Sequence, residues 1–196
     1  MAAAASADDA RPAVVCLGDS LTAGYGLAAE EAWPALVQER VDARGLGLRV
    51  VNAGVSGDTS AGALRRVEWL LRLPIAVLVV ALGGNDLLRG QDPAAMRRNL
   101  AEIVERTRGA HPDARFVIAG MRAPPNLGSA YAKAFEAVYP EVAASARAAL
   151  IPFLLAGVAG DPELNQVDGI HPTAEGQRII AETVWQALEP LLRSPR

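Results

Sequence analysis

Apolar residues in this chain follow two rhythms. Short runs at 13–17, 48–53, 75–82, 115–120 and 149–155 are largely apolar, and most are rich in Val, Ile and Leu without polar alternation. Such runs suit strands covered on both faces, because a half-solvated strand alternates apolar with polar residues. Between and after them, residues 31–44, 59–72, 93–109, 129–147 and 172–192 form longer stretches with a helical rhythm. Asp92 followed by Pro93 marks one helix start, a capping side chain ahead of a residue whose fixed φ suits the first turn.

Five strands alternating with five helices predict an α/β fold, with a central five-stranded parallel sheet covered on both faces. Right-handed crossovers make it a three-layer α/β/α sandwich of the flavodoxin-like kind, with the strand order left open. No internal repeat or linker divides the chain. Residues 12–196 are therefore expected to form one domain, and residues 1–11 a disordered or trimmed N-terminal segment. In open parallel sheets ligands bind beyond the carboxyl ends of the strands, so chemistry is expected only in loops that follow strands.

Composition narrows the classes. At 196 residues the chain buries enough surface for a core without metals or disulfides. Hydrophobic residues at 51% and charged residues at 21% argue against disorder. A net charge of −3 with no dense basic run excludes nucleic acid as a main partner. The single cysteine, Cys16, leaves no internal disulfide and sits in an apolar run as a buried structural thiol. No run approaches the roughly 18 apolar residues needed to span a bilayer. The N-terminus is no export signal as it stands, although Ala5-Ser6-Ala7 resembles the stub of one. Location stays open between the cytoplasm and a periplasmic or secreted protein with its signal removed.

Four polar, glycine-rich loops pass the positional filter. They are Gly18-Asp19-Ser20-Leu21-Thr22-Ala23-Gly24, Asn52 to Asp58, Gly83-Gly84-Asn85-Asp86, and Asp168-Gly169-Ile170-His171-Pro172. There are two histidines, and His111 precedes the fourth strand, on the wrong edge. His171 follows the fifth, with Asp168 three residues earlier, a spacing that lets a carboxylate hold one ring nitrogen and leave the other free as a base. Pro172 also reads as a first helical residue, so the same segment opens a helix. Of the serines, Ser20, Ser56 and Ser60 fall on the right edge, and Ser20 is best placed, directly after a strand and at a helix start. A purely capping role for Ser20 is the competing reading. Asp19 and Asp86 lack His, Cys or Glu companions at ligand spacing, so they read as loop holders that accept backbone N–H bonds, and no metal or other cofactor is expected.

These four segments, in this order, resemble the four sequence blocks of the SGNH/GDSL hydrolases. The resemblance spans nearly the whole chain. It implies Ser20, Asp168 and His171 as the catalytic triad of a carboxylic ester hydrolase. It also implies an oxyanion hole of the Ser20 and Gly54 N–H groups and the Asn85 amide. Within the family the chain is most similar to the small bacterial thioesterase, arylesterase and lysophospholipase group. That similarity implies acyl or aryl ester substrates, with thioesters and lysophospholipids among them. A carbohydrate O-acetyl esterase is the alternative. Substrate-side residues are expected at Asp19, Pro124, Asn126 and Ile170. Leu127, Tyr131 and Phe135 belong either to that pocket or to the helix core. The expected partner is a small ester, with no nucleic acid and no integral membrane segment, acting on a monomer or weak homo-oligomer. A nucleotide-binding module lacks its phosphate loop here, and no Gly-x-Ser-x-Gly elbow is present. A fold that has lost its chemistry is opposed by the complete residue set.

Overall fold

In the computed structural model, which describes residues 11–193, each apolar run becomes a parallel strand. They are β1 (Ala13–Gly18), β2 (Arg49–Gly54), β3 (Ile75–Ala81), β4 (Arg115–Ala119) and β5 (Ala149–Ile151). Their order across the sheet is β2-β1-β3-β4-β5, so the crossovers step outward in both directions from β1. Among the described residues seven α-helices pack around them: α1 (Ser20–Ala23), α2 (Trp33–Ala43), α3 (Ser60–Leu70), α4 (Gly84–Leu88), α5 (Pro93–Ala110), α6 (Ser129–Ala146) and α7 (Ala174–Arg193). The expected segment 1–11 lies, Arg11 apart, outside the described residues. No described helix is long and apolar enough to cross a membrane.

The apolar runs of the inner strands have a direct cause: β1, β3 and β4 are buried on both faces, while the edge strands β2 and β5 are mostly half-buried. Ala13, Val15 and Leu17 of β1 join one core with Val67 of α3, Leu100 and Ile103 of α5 and Phe135 of α6. Val14 and Cys16 point the other way, toward Trp33 and Val37 of α2 and Ile180 and Val184 of α7. Each such side chain removed from water contributes roughly 1.5–3 kcal/mol, so neither layer is dispensable. Burial also pushes the Cys16 thiol far above its ordinary range, as befits a structural cysteine.

Several boundaries differ from expectation. The last helix starts at Ala174 rather than at Pro172, which instead bridges Asn165. The fifth run was expected to stay extended to 155, but β5 stops at Ile151 because Pro152 has no N–H to offer a neighbour. The chain still runs beside β4 there, with the Leu154 N–H donating to the Gly120 carbonyl at 2.8 Å. The segment after β3 is a five-residue helix rather than a loop, too short for a periodic pattern to announce it.

Strand register brings the functional loops together. Gly18 pairs with Gly54 on one side and Ala81 on the other, so β1, β2 and β3 end level and their following loops start side by side.

Candidate active site

The chain turns sharply as it leaves β1. Asp19 caps α1, its Oδ1 accepting the Leu21 N–H at 3.0 Å, and Ser20 is the first helical residue. Glycine is required at both neighbouring points of contact. A Cβ on Gly18 would lie 2.0 Å from Thr22 Oγ1, and one on Gly54 would lie 2.3 Å from the Ala23 nitrogen. Bare backbone at 18 and 54 thus lets the end of β2 press against the Ser20 turn. Arg66 ties the same turn to α3: its Nη2 donates to the Gly18 carbonyl at 3.1 Å and its Nε to Asp58 at 2.7 Å.

The loop before α7 delivers the second half. Asp168 Oδ1 accepts the N–H groups of Ile170 at 2.9 Å and His171 at 3.0 Å, while Oδ2 meets His171 Nδ1 at 2.6 Å. A carboxylate can only accept, so Nδ1 carries the proton and Nε2 presents its lone pair. Nε2 lies 3.0 Å from Ser20 Oγ. The His171 backbone N–H, then its ring, then the Ile170 N–H hold the Asp168 carboxyl down at about 2, although the residue is exposed. Serine, imidazole and carboxylate therefore form one hydrogen-bonded line, across 151 residues of sequence.

A third loop closes the arrangement. Gly83 adopts φ +115°, and a Cβ there would meet the Tyr139 hydroxyl at 2.2 Å. This turn swings Asn85 toward the Ser20 turn, where its Nδ2 donates to Asp19 Oδ2 at 3.3 Å. Asp19 is buried, and desolvation lifts its carboxyl to about 6 against the pull of the Leu21 and Asn85 donors. Asp86 does the loop-holding expected of it, accepting the Ser60 N–H at 2.8 Å and the Ser60 hydroxyl at 2.5 Å. Ser60 is thereby committed to structure. The Gly54 N–H donates to Asn52 Oδ1 at 3.0 Å.

Comparison with known proteins agrees with this geometry. The pattern of the GDSL-like Lipase/Acylhydrolase family matches residues 16–179. The chain belongs to that family. Among its relatives, Esterase TesA of Pseudomonas aeruginosa is 44% identical over 180 residues, covering 91% of this chain and 89% of that one. Thioesterase 1/protease 1/lysophospholipase L1 of Escherichia coli K12 is 39% identical, covering 91% and 84%. An arylesterase of Vibrio mimicus is 37% identical, covering 93% and 91%. The crystal structure of TesA superposes with a TM-score of 0.86 over 91% of this chain and 99% of that one. As a GDSL-family protein with these relatives, the chain is a serine-dependent carboxylic ester hydrolase. None of these names is that of a carbohydrate esterase, so the sugar deacetylase alternative is not favoured.

In this GDSL hydrolase a cavity of about 310 Å³ opens over Ser20 and His171. Leu21, Leu87, Met121 and Leu155 give it an apolar floor, and Asn85, Ser56 and Gly57 a polar side. Of the expected substrate-side residues, Asp19 and Ile170 reach its wall, but Pro124 and Asn126 do not. Their loop leads into α6, whose Phe135 is buried in the core against Tyr139, with the Tyr131 hydroxyl donating to the Gln91 carbonyl at 2.8 Å. Among the described residues, no three His, Cys, Asp or Glu side chains gather as metal ligands.

Three residues at the site escaped sequence reasoning. Tyr25 packs its ring on His171, and Gln166 bonds both the Tyr25 turn and the His171 loop. Gln177 of α7 donates to the Leu21 carbonyl at 3.1 Å and accepts the Trp33 N–H at 2.9 Å. The one local signal was Gly24-Tyr25-Gly26, an aromatic residue between two glycines with positive φ.

Proposed function

We propose that Ser20 is the nucleophile, His171 its general base and Asp168 the residue that orients and steadies the imidazole. The observation that carries this reading is the pair of contacts on one ring: Nδ1 on Asp168 at 2.6 Å and Nε2 on Ser20 Oγ at 3.0 Å. A serine hydroxyl is a weak nucleophile at neutral pH and needs a base within hydrogen-bond reach. His171 takes the Ser20 proton as Oγ attacks the acyl carbonyl. The tetrahedral oxyanion binds to the Ser20 and Gly54 N–H groups and to the Asn85 amide. His171 then gives its proton to the leaving alcohol or thiol, leaving an acyl group on Ser20. Water, activated by the same ring, releases the acid.

The substrates are acyl and aryl esters, with thioesters and lysophospholipids included. Support comes from the apolar floor of the cavity and from the names of the relatives. Every group named lies on one chain, which supports a monomer or weak homo-oligomer as the working unit.

Hydrolysis of p-nitrophenyl esters from acetate to palmitate tests the reading, with Ser20→Ala beside the wild type. The expected result is turnover that vanishes in the variant and a chain-length optimum set by the cavity. Turnover that survives in Ser20→Ala removes Ser20 as nucleophile.

A further inference from the structure

The imidazole of His171 stands on an exposed loop. Asp168, its partner on one side, has a side chain 41% accessible to solvent. What backs the ring is Tyr25, in the turn that follows α1. The two ring centroids are 4.5 Å apart with planes tilted by 37°, and the Tyr25 side chain forms part of the cavity wall beside Ser20 and His171. Tyr25 sits between Gly24 at φ +75° and Gly26 at φ +79°, so the backbone is bent on both sides of it. Gly26 also has to be bare: a Cβ there would lie 2.5 Å from Gln166 Oε1. Gln166 fills that space and ties the two segments. Its Nε2 donates to the carbonyls of Tyr25 at 2.7 Å and Pro172 at 3.0 Å, and its N–H donates to the His171 carbonyl at 2.7 Å.

We propose that Tyr25 is a positioning residue for the base, backing the imidazole so that Nε2 stays on Ser20 Oγ, with Gln166 as the tie that holds the Tyr25 turn to the His171 loop. The proposal rests on the reading of His171 as general base. The ring has a second consequence. His171 is a neutral imidazole before the reaction and an imidazolium once it holds the Ser20 proton, and an aromatic ring attracts the cation. The contact therefore strengthens toward the transition state, which raises kcat rather than lowering KM. The ring is what acts, and the phenol hydroxyl is dispensable.

Steady-state hydrolysis of p-nitrophenyl acetate by Tyr25→Phe, Tyr25→Leu, His171→Ala and the Tyr25→Leu/His171→Ala double variant tests this. Tyr25→Phe is expected to keep kcat within about twofold, and Tyr25→Leu to lower it on the order of tenfold. In the His171→Ala background the same Tyr25→Leu change is expected to leave the residual kcat within about twofold, because a residue that acts through the base has nothing left to act on. Gln166→Leu is expected to give a smaller loss with the same dependence on His171. Wild-type kcat in Tyr25→Leu, with His171→Ala inactive, overturns the proposal alone. So does an equal drop in both backgrounds. Near-normal kcat in His171→Ala overturns the base reading and this proposal with it.

Discussion

Each edge of the sheet sets a histidine beside a cavity, yet the two differ in the groups that face that histidine. At the amino edge the cavity is the larger, about 490 Å³ against about 310 Å³, and it is lined by Pro12, Pro74, His111 and Arg115. There His111 Nε2 meets the Leu71 carbonyl at 3.0 Å, a bond that holds a turn and leads nowhere. At the carboxyl edge His171 lies between the Asp168 carboxylate at 2.6 Å and the Ser20 hydroxyl at 3.0 Å. Volume does not make a catalytic site. A chain of polarised groups does, and in a parallel sheet only the carboxyl edge gathers the loops of all strands around one point.

Substitutions at the two edges put this contrast at risk. The largest effects belong to Ser20→Ala and His171→Ala, each expected to lower kcat by at least about 10⁴-fold in a protein that still folds. Circular dichroism and ester kinetics on the same samples check this. Asn85→Ala is expected to lose about a hundredfold in turnover, the usual loss for one oxyanion donor. A near-normal rate in that variant ends its assignment to the oxyanion hole.

Asp19 makes the contrast thermodynamic. Its carboxyl titrates at about 6 when folded, raised by burial, and near 3.8 when unfolded. Between those values the folded state keeps a proton that the unfolded state has lost, so stability falls as pH rises through the window. Above pH 6 the full penalty, about 3 kcal/mol, is present. Asp19→Asn is therefore expected to melt higher than the wild type at pH 8, with the gain vanishing below about pH 4. Equal midpoints at pH 8 contradict it. The smallest effect is expected across the sheet, where His111→Ala should leave kcat within about twofold and cost about 1 kcal/mol of stability for its lost bond to Leu71.

The parts of this site that were legible in the sequence are those where one residue type is forced by local chemistry. Burial on both faces wrote β1 and β3 as continuous apolar runs. The tight turn at Gly18 and the Asp168-x-x-His171 loop are short local segments, legible because they fall after strands at one edge and resemble two of the family's four blocks. What stayed hidden depends on where distant segments meet. Gln166 reaches Tyr25 across 141 positions, and Gln177 reaches Leu21 across 156. A glutamine carries no pattern that names its partner. Pro124 and Asn126 were expected on the substrate side from the resemblance; they do not line the cavity over Ser20, whereas Met121, just after β4, does.

The central claim is that one serine, held by one histidine, does the chemistry. The most direct test is mass spectrometry after treatment with a p-nitrophenyl alkylphosphonate, which traps an activated serine. The account predicts one phosphonyl group per chain, on the peptide that carries Ser20, and none in Ser20→Ala. Label on Ser56 or Ser60, or labelling unchanged in Ser20→Ala, contradicts it.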